Sequence, residues 1–116
     1  MQYLLLIYRN EAEAAACSET ERAAVFAEYM ALTKTLESEG VLRGGQFLHP
    51  PAMTTTVRVR SGSVMATDGP FAETKEQLTG YYVVEATDLD EAMAIAARIP
   101  NARDGSIEVR PVQLSH

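Results

Sequence analysis

Tyr3-Leu4-Leu5-Leu6-Ile7-Tyr8 is an unbroken apolar run. A strand with one wet face alternates polar and apolar residues, whereas a strand covered on both faces does not, so this run is predicted to lie in the middle of a sheet. Arg9-Asn10 marks its expected end. Outward from it, Leu78 to Ala86 has the same character around Tyr81-Tyr82-Val83-Val84 and is also expected to be central. Weaker strands are predicted over about Val41 to Leu48, Thr54 to Arg60 and Val64 to Thr67, and at Ile107 and Val109 before Pro111. Gly44-Gly45 within the first of these predicts a bulge or a close backbone approach.

Two helices are announced by their starts. Ser18 and Glu21 have capping-box spacing, and so do Asp88 and Glu91. The first helix should run to Gly40 and bury Val25, Tyr29, Leu32 and Leu36, with Phe26 and Met30 alongside. The second should bury Leu89, Ala92, Met93 and Ala96 and stop at Pro100. Glu11 to Cys17, rich in Ala and Glu, reads as a loop or a weak helical turn.

The order is β-α-β, a hairpin turned at Ser61-Gly62, then β-α-β. That is the order of an α+β, ferredoxin-like split βαβ domain with an inserted β-hairpin. Right-handed crossovers put both helices on one face, which leaves the other face of the two apolar strands bare. A homodimer packed sheet against sheet is the expected cover. In the hairpin, Thr55, Val57 and Val59 face one way, and Thr54, Thr56, Arg58 and Arg60 face the other.

At 116 residues, the chain has the length of one domain with a single core. Acidic residues outnumber basic ones by 16 to 10, and a net charge of −6 argues against a nucleic-acid partner, which needs clustered Lys and Arg. No run reaches the ~20 apolar residues of a membrane span, and Met1 to Tyr8 lacks the marks of a signal peptide, so a cytoplasmic protein is expected. Cys17 has no second cysteine to bond and is read as unreactive. His49 and the terminal His116 have no metal-binding spacing, and the glycines form no nucleotide fingerprint, so neither metal nor cofactor is expected.

The chemistry concentrates in Asp68-Gly69-Pro70-Phe71-Ala72-Glu73-Thr74-Lys75-Glu76. Gly69 before Pro70 forces a sharp bend, and Pro70 suits the start of a helical turn through Lys75. Asp68 then has two readings. Its carboxylate either accepts from the amides of Phe71 or Ala72, or points into a cleft beside Phe71 and nearby tyrosines such as Tyr8, where desolvation would favour its protonated form. In the second reading Asp68 is an acid or base, Tyr29 orients a substrate and His49 is the one histidine placed to assist. Phe71 either lines the cleft or plugs the core. Lys75 either pairs with Glu73 or Glu76 or contacts a ligand. Arg58, with Arg60, either binds a small anion or simply blocks edge pairing.

These nine residues resemble the signature of the DGPFAETKE family, a branch of the YCII-related domains, and the similarity runs from Met1 to Val112. The resemblance implies a dimeric α/β-barrel. In some YCII-related proteins it implies a His-Asp dyad, whose histidine position, counted back from Leu36-Glu37-Ser38-Glu39-Gly40, is here Tyr29. Three functions are open: a lyase, isomerase or hydrolase acting on a polar organic acid or phenol with Asp68 as acid or base; a non-catalytic ligand-binding or regulatory module, which the resemblance favours through an association with sigma-factor signalling; or a dimeric interaction protein with no pocket of consequence.

Overall fold

The computed structural model describes residues 1–113. His116 lies outside them. Six strands and three helices follow in the order β1 (Gln2–Asn10), α1 (Glu11–Ala16), α2 (Glu19–Ser38), β2 (Leu42–Phe47), β3 (Thr55–Arg60), β4 (Ser63–Asp68), β5 (Glu76–Glu85), α3 (Leu89–Ala96) and β6 (Ser106–Pro111) among the described residues. Short 3-10 turns occupy Pro51–Met53 and Pro100–Ala102.

The main sheet is antiparallel with order β2-β5-β1-β6, so the two unbroken apolar runs are its central strands. This is the strand order of a ferredoxin-like α+β fold. Tyr3, Leu5 and Ile7 of β1 and Tyr82 and Val84 of β5 point to the helices and meet Tyr29, Leu32 and Leu36 of α2 and Ala92, Ile95 and Ala96 of α3. Each strand alternates, and its second row is only half covered. Leu4, Leu6 and Tyr8 pair across the bare face with Val83, Tyr81 and Leu78, and no helix lies over them.

Local signals account for the element ends. The Ser18 hydroxyl accepts from the Glu21 amide, and the Glu21 carboxylate accepts from the Ser18 amide, completing the first capping box. The second box is half formed. Asp88 caps the Glu91 amide, but Glu91 accepts from the Thr87 hydroxyl instead of reaching back to the cap. The α3 face is also shifted from expectation: Ile95 is buried, while Leu89 and Met93 are exposed. Phe26 and Met30 are exposed beside the α2 stripe. Glu11–Ala16 is a true helix, capped by Asn10, which accepts from the Glu13 amide. Strand β1 runs on through Arg9 and Asn10, because both pair with β5. Its register with β5 slips between Ile7 and Tyr8, and that of β2 with β5 slips between Leu42 and Gly44. The predicted close approach falls at Gly45, where a Cβ would sit 2.7 Å from the Tyr81 carbonyl oxygen.

The hairpin β3-β4 forms a separate two-stranded sheet. Ser61 (φ 51°) and Gly62 (φ 77°) are both left-handed, the pattern of a tight two-residue hairpin turn. Its burial is the reverse of a strand laid on its own core: Thr56 and Arg58 are half-buried, while Val57 and Val59 are exposed. Cross-strand pairing of Val57 with Ala66 and Val59 with Val64 makes one apolar stripe, with Thr55 and Asp68 at its end. The radius of gyration of 16.0 Å exceeds the ~13 Å usual for a compact domain of ~100 residues, and the molecule is a slab of 47 × 45 × 19 Å.

No described helix is long and apolar enough to cross a membrane.

Candidate functional site

Beyond Asp68 the chain turns at Gly69, whose φ of 92° is open chiefly to glycine. The Gly69 amide donates to the Thr54 carbonyl at 2.7 Å, and the Thr56 hydroxyl donates to the Gly69 carbonyl at 2.8 Å. Farther on, the Thr74 hydroxyl donates to the Glu76 carbonyl at 2.6 Å, and the Gln77 amide donates to the Thr74 carbonyl at 2.9 Å. The loop is thus held by Thr54, Thr56, Thr74 and Gln77. Gln77, just beyond the signature, was not singled out from sequence; its signal is a long amide side chain following a turn full of carbonyl acceptors. The expected bonds from the Phe71 and Ala72 amides to Asp68 are not formed, and no helical turn follows Pro70.

This loop, the hairpin base and the ends of β1 and β5 enclose a cavity of about 720 Å³. Tyr8, His49 and Phe71 come together in its lining with Leu48, Gln77 and Leu78. Phe71 is 79% exposed at the cavity wall, so it does not plug the core. The Tyr8 hydroxyl is hydrogen-bonded to the Glu108 carboxylate, which together with burial holds the phenol above its ordinary pKa. Tyr8 is therefore a neutral hydrogen-bonding group at physiological pH.

Other expected site residues stand apart. Asp68 is exposed, outside the cavity lining, and its carboxylate makes no hydrogen bond or ion pair among the described residues. Arg58 is half-buried on the hairpin face opposite the apolar stripe, paired across the strands with Met65. The Lys75 side chain is exposed and pairs with neither Glu73 nor Glu76; its carbonyl accepts from the Glu11 amide at 3.2 Å.

Tyr29 lies on the helix side of the sheet. Its hydroxyl donates to Asn101 Oδ1 at 2.7 Å, Asn101 Nδ2 donates to Asp104 Oδ1 at 3.0 Å, and Asp104 Oδ2 lies 3.8 Å from the Arg9 guanidinium. Burial pushes the Tyr29 phenol up to about 12. It ties α2 to the turn before β6 and does not meet Asp68.

Among the described residues no group of three or more His, Cys, Asp or Glu side chains could hold a metal ion.

A four-stranded antiparallel sheet with helices on one face, a projecting hairpin and a cavity under its base defines a small ferredoxin-like α+β protein. The chain belongs to the YCII-related domain family, whose match covers residues 1–114. It is similar to an uncharacterised protein of Rhizobium meliloti (strain 1021), with 38% identity over 116 residues that cover 98% of this chain and 94% of the relative.

Proposed function

We propose that the protein is a member of the DGPF branch that works as a homodimer with an α/β-barrel arrangement. Each protomer binds a small polar organic acid or phenol in the cavity under the hairpin, with Asp68 as acid or base. The observation that carries this reading is the hairpin register. Asp68 shares a face with Thr55, Val57, Val59, Val64 and Ala66, an exposed apolar stripe with no cover in the chain. An isolated two-stranded hairpin is marginal in water, so that face calls for a partner surface. The same partner would cover the bare row of Leu4, Leu6, Tyr81 and Val83. Covering the stripe would take the Asp68 carboxylate out of bulk water and place it beside an apolar surface. Tyr8 and His49 then supply hydrogen bonds from the cavity wall, and the reaction class is lyase, isomerase or hydrolase.

A second reading, a non-catalytic binding or regulatory module, is favoured by Asp68 standing outside the cavity lining of the single chain.

Asp68→Asn separates them. Because the carboxylate makes no hydrogen bond or ion pair among the described residues, the variant should keep its fold and lie within ~0.5 kcal/mol of the parent in chemical denaturation. In a turnover screen of organic acids and phenols, any activity of the parent should fall by about 100-fold or more in the variant. Undiminished turnover in Asp68→Asn would exclude the acid–base role, and no turnover by the parent would leave the binding module.

A further inference from the structure

Arg9 occupies a place where a core residue is expected. It follows Tyr3, Leu5 and Ile7 on the helix-facing row of β1, and only 16% of its side chain is exposed. A guanidinium in such a place normally has its donors matched to oxygen acceptors, preferably charged ones. Here one terminal nitrogen donates to the Cys17 sulfur at 3.1 Å, a weak acceptor, and approaches Asp104 at 3.8 Å, beyond hydrogen-bond distance. The Arg9 Nε is buried with no partner.

Beside this under-served guanidinium runs a groove between α1, α2 and the ends of β2 and β5. Two adjoining cavities of about 530 and 350 Å³ share Arg9, Ala14, Arg22, Leu48 and Thr79. Arg22, near the start of α2, is exposed and makes one side-chain hydrogen bond, to the Ala15 carbonyl at 3.3 Å. Val25, Phe26 and Phe47 supply apolar wall. We propose that this groove is a binding site for an organic monocarboxylate with an apolar body, its carboxylate held between Arg9 and Arg22 and its body lying against Val25, Phe26 and Phe47.

The charge at the site selects a monoanion. Two guanidinium groups face Asp104, 3.8 Å from Arg9, and Glu21, whose carboxyl feels the Arg9 charge, while Glu11 stands in the lining of the larger cavity, so the acids already present oppose a second negative charge on the ligand. The cavities fall within the ~300–1,000 Å³ of small-molecule sites, and a few placed polar groups on apolar walls are what such sites need. The larger cavity shares Leu48, His49, Pro51, Gln77 and Leu78 with the cavity under the hairpin, but Arg9, Arg22 and the apolar wall of Val25, Phe26 and Phe47 lie outside that cavity's lining, so this site does not rest on the role given to Asp68.

Titration calorimetry of the full chain with phenylacetate, and with phenylacetamide as its neutral counterpart, tests the site. The acid should bind with a Kd below about 1 mM and at least about tenfold more tightly than the amide. Arg22→Gln, at an exposed position, should keep the melting temperature and weaken phenylacetate by about tenfold while leaving the amide unchanged. Lys34→Gln, at an exposed position of α2 outside the lining of both cavities, should bind phenylacetate like the parent. Equal affinity for acid and amide, no heat at about 10 mM acid, or an indifferent Arg22→Gln would each overturn the proposal. So would an equal loss in Lys34→Gln, which would make the binding a matter of overall surface charge and not of this groove.

Discussion

Gly105→Ala should lower stability by about 3 kcal/mol, the upper end of what overpacking costs, because the added methyl would overlap the Tyr8 carbonyl oxygen and lie 3.1 Å from the Asn101 carbonyl oxygen. Neither can yield cheaply. The next residue, Ser106, is paired with Tyr8 in the β1–β6 ladder, and the Gly105 amide is bonded to the Asn101 carbonyl at 2.7 Å. Moving β1 would drag Leu5 and Ile7, which are buried in the core. The cost therefore falls on the strand that presents Tyr8 and Arg9 to opposite sides of the sheet. Gly44→Ala is the matched control, since its nearest atom would be Val83 Cγ2 at an ordinary 3.9 Å, and it should cost less than about 1 kcal/mol. Chemical denaturation midpoints of the two variants make the comparison; equal midpoints would contradict the packing described at Gly105.

The second large effect concerns Tyr29. Tyr29→Phe removes the donor to Asn101, a buried polar residue, and should cost about 1–3 kcal/mol at neutral pH because Asn101 Oδ1 loses a buried hydrogen bond. The parent should also show an alkaline dependence that the variant loses. The folded phenol titrates at about 12, above the ordinary 10.0, so folding favours its protonated form. Its contribution is fully present below pH 10, and it is lost as pH rises from there through about 12, a change of order 2 kcal/mol. Denaturation curves between neutral and strongly alkaline pH should converge for parent and variant. Parallel curves would mean that Tyr29 is not the buried phenol described.

The fold was legible because its strongest signals are local. Tyr3–Tyr8 and Leu78–Ala86 lack alternation, and they are the two central strands. Ser18 and Glu21 start α2 as their spacing predicts, and Gly44-Gly45 marks a slipped register and a close backbone contact. Misreadings came where a residue's surroundings lie far away in sequence or outside the chain. Val57 and Val59 alternate like core residues, yet the stripe they form is bare, because the pattern states which residues share a face and not what covers it. Phe71 reads as a core plug for the same reason.

Arg9 is the reverse case. In sequence it reads as a strand end, although the odd-numbered row of Tyr3, Leu5 and Ile7 continues to it, and that parity places a cation on the helix-facing side. The site was legible only in part. Tyr8, His49 and Phe71 do meet, whereas Tyr29 and Asp68 were grouped by resemblance and lie apart. The hold of Thr56 and Gln77 on the signature loop depends on three-dimensional neighbours that spacing does not reveal.

The proposed second copy covers the bare sheet face and the hairpin stripe and so completes the surroundings of Asp68. Its most direct test is the mass in solution, by static light scattering at micromolar concentration. A dimer has about twice the chain mass of 12.7 kDa, as expected where two copies bury that much apolar surface. A stable particle of 12.7 kDa would contradict it and leave the hairpin stripe without the partner proposed here.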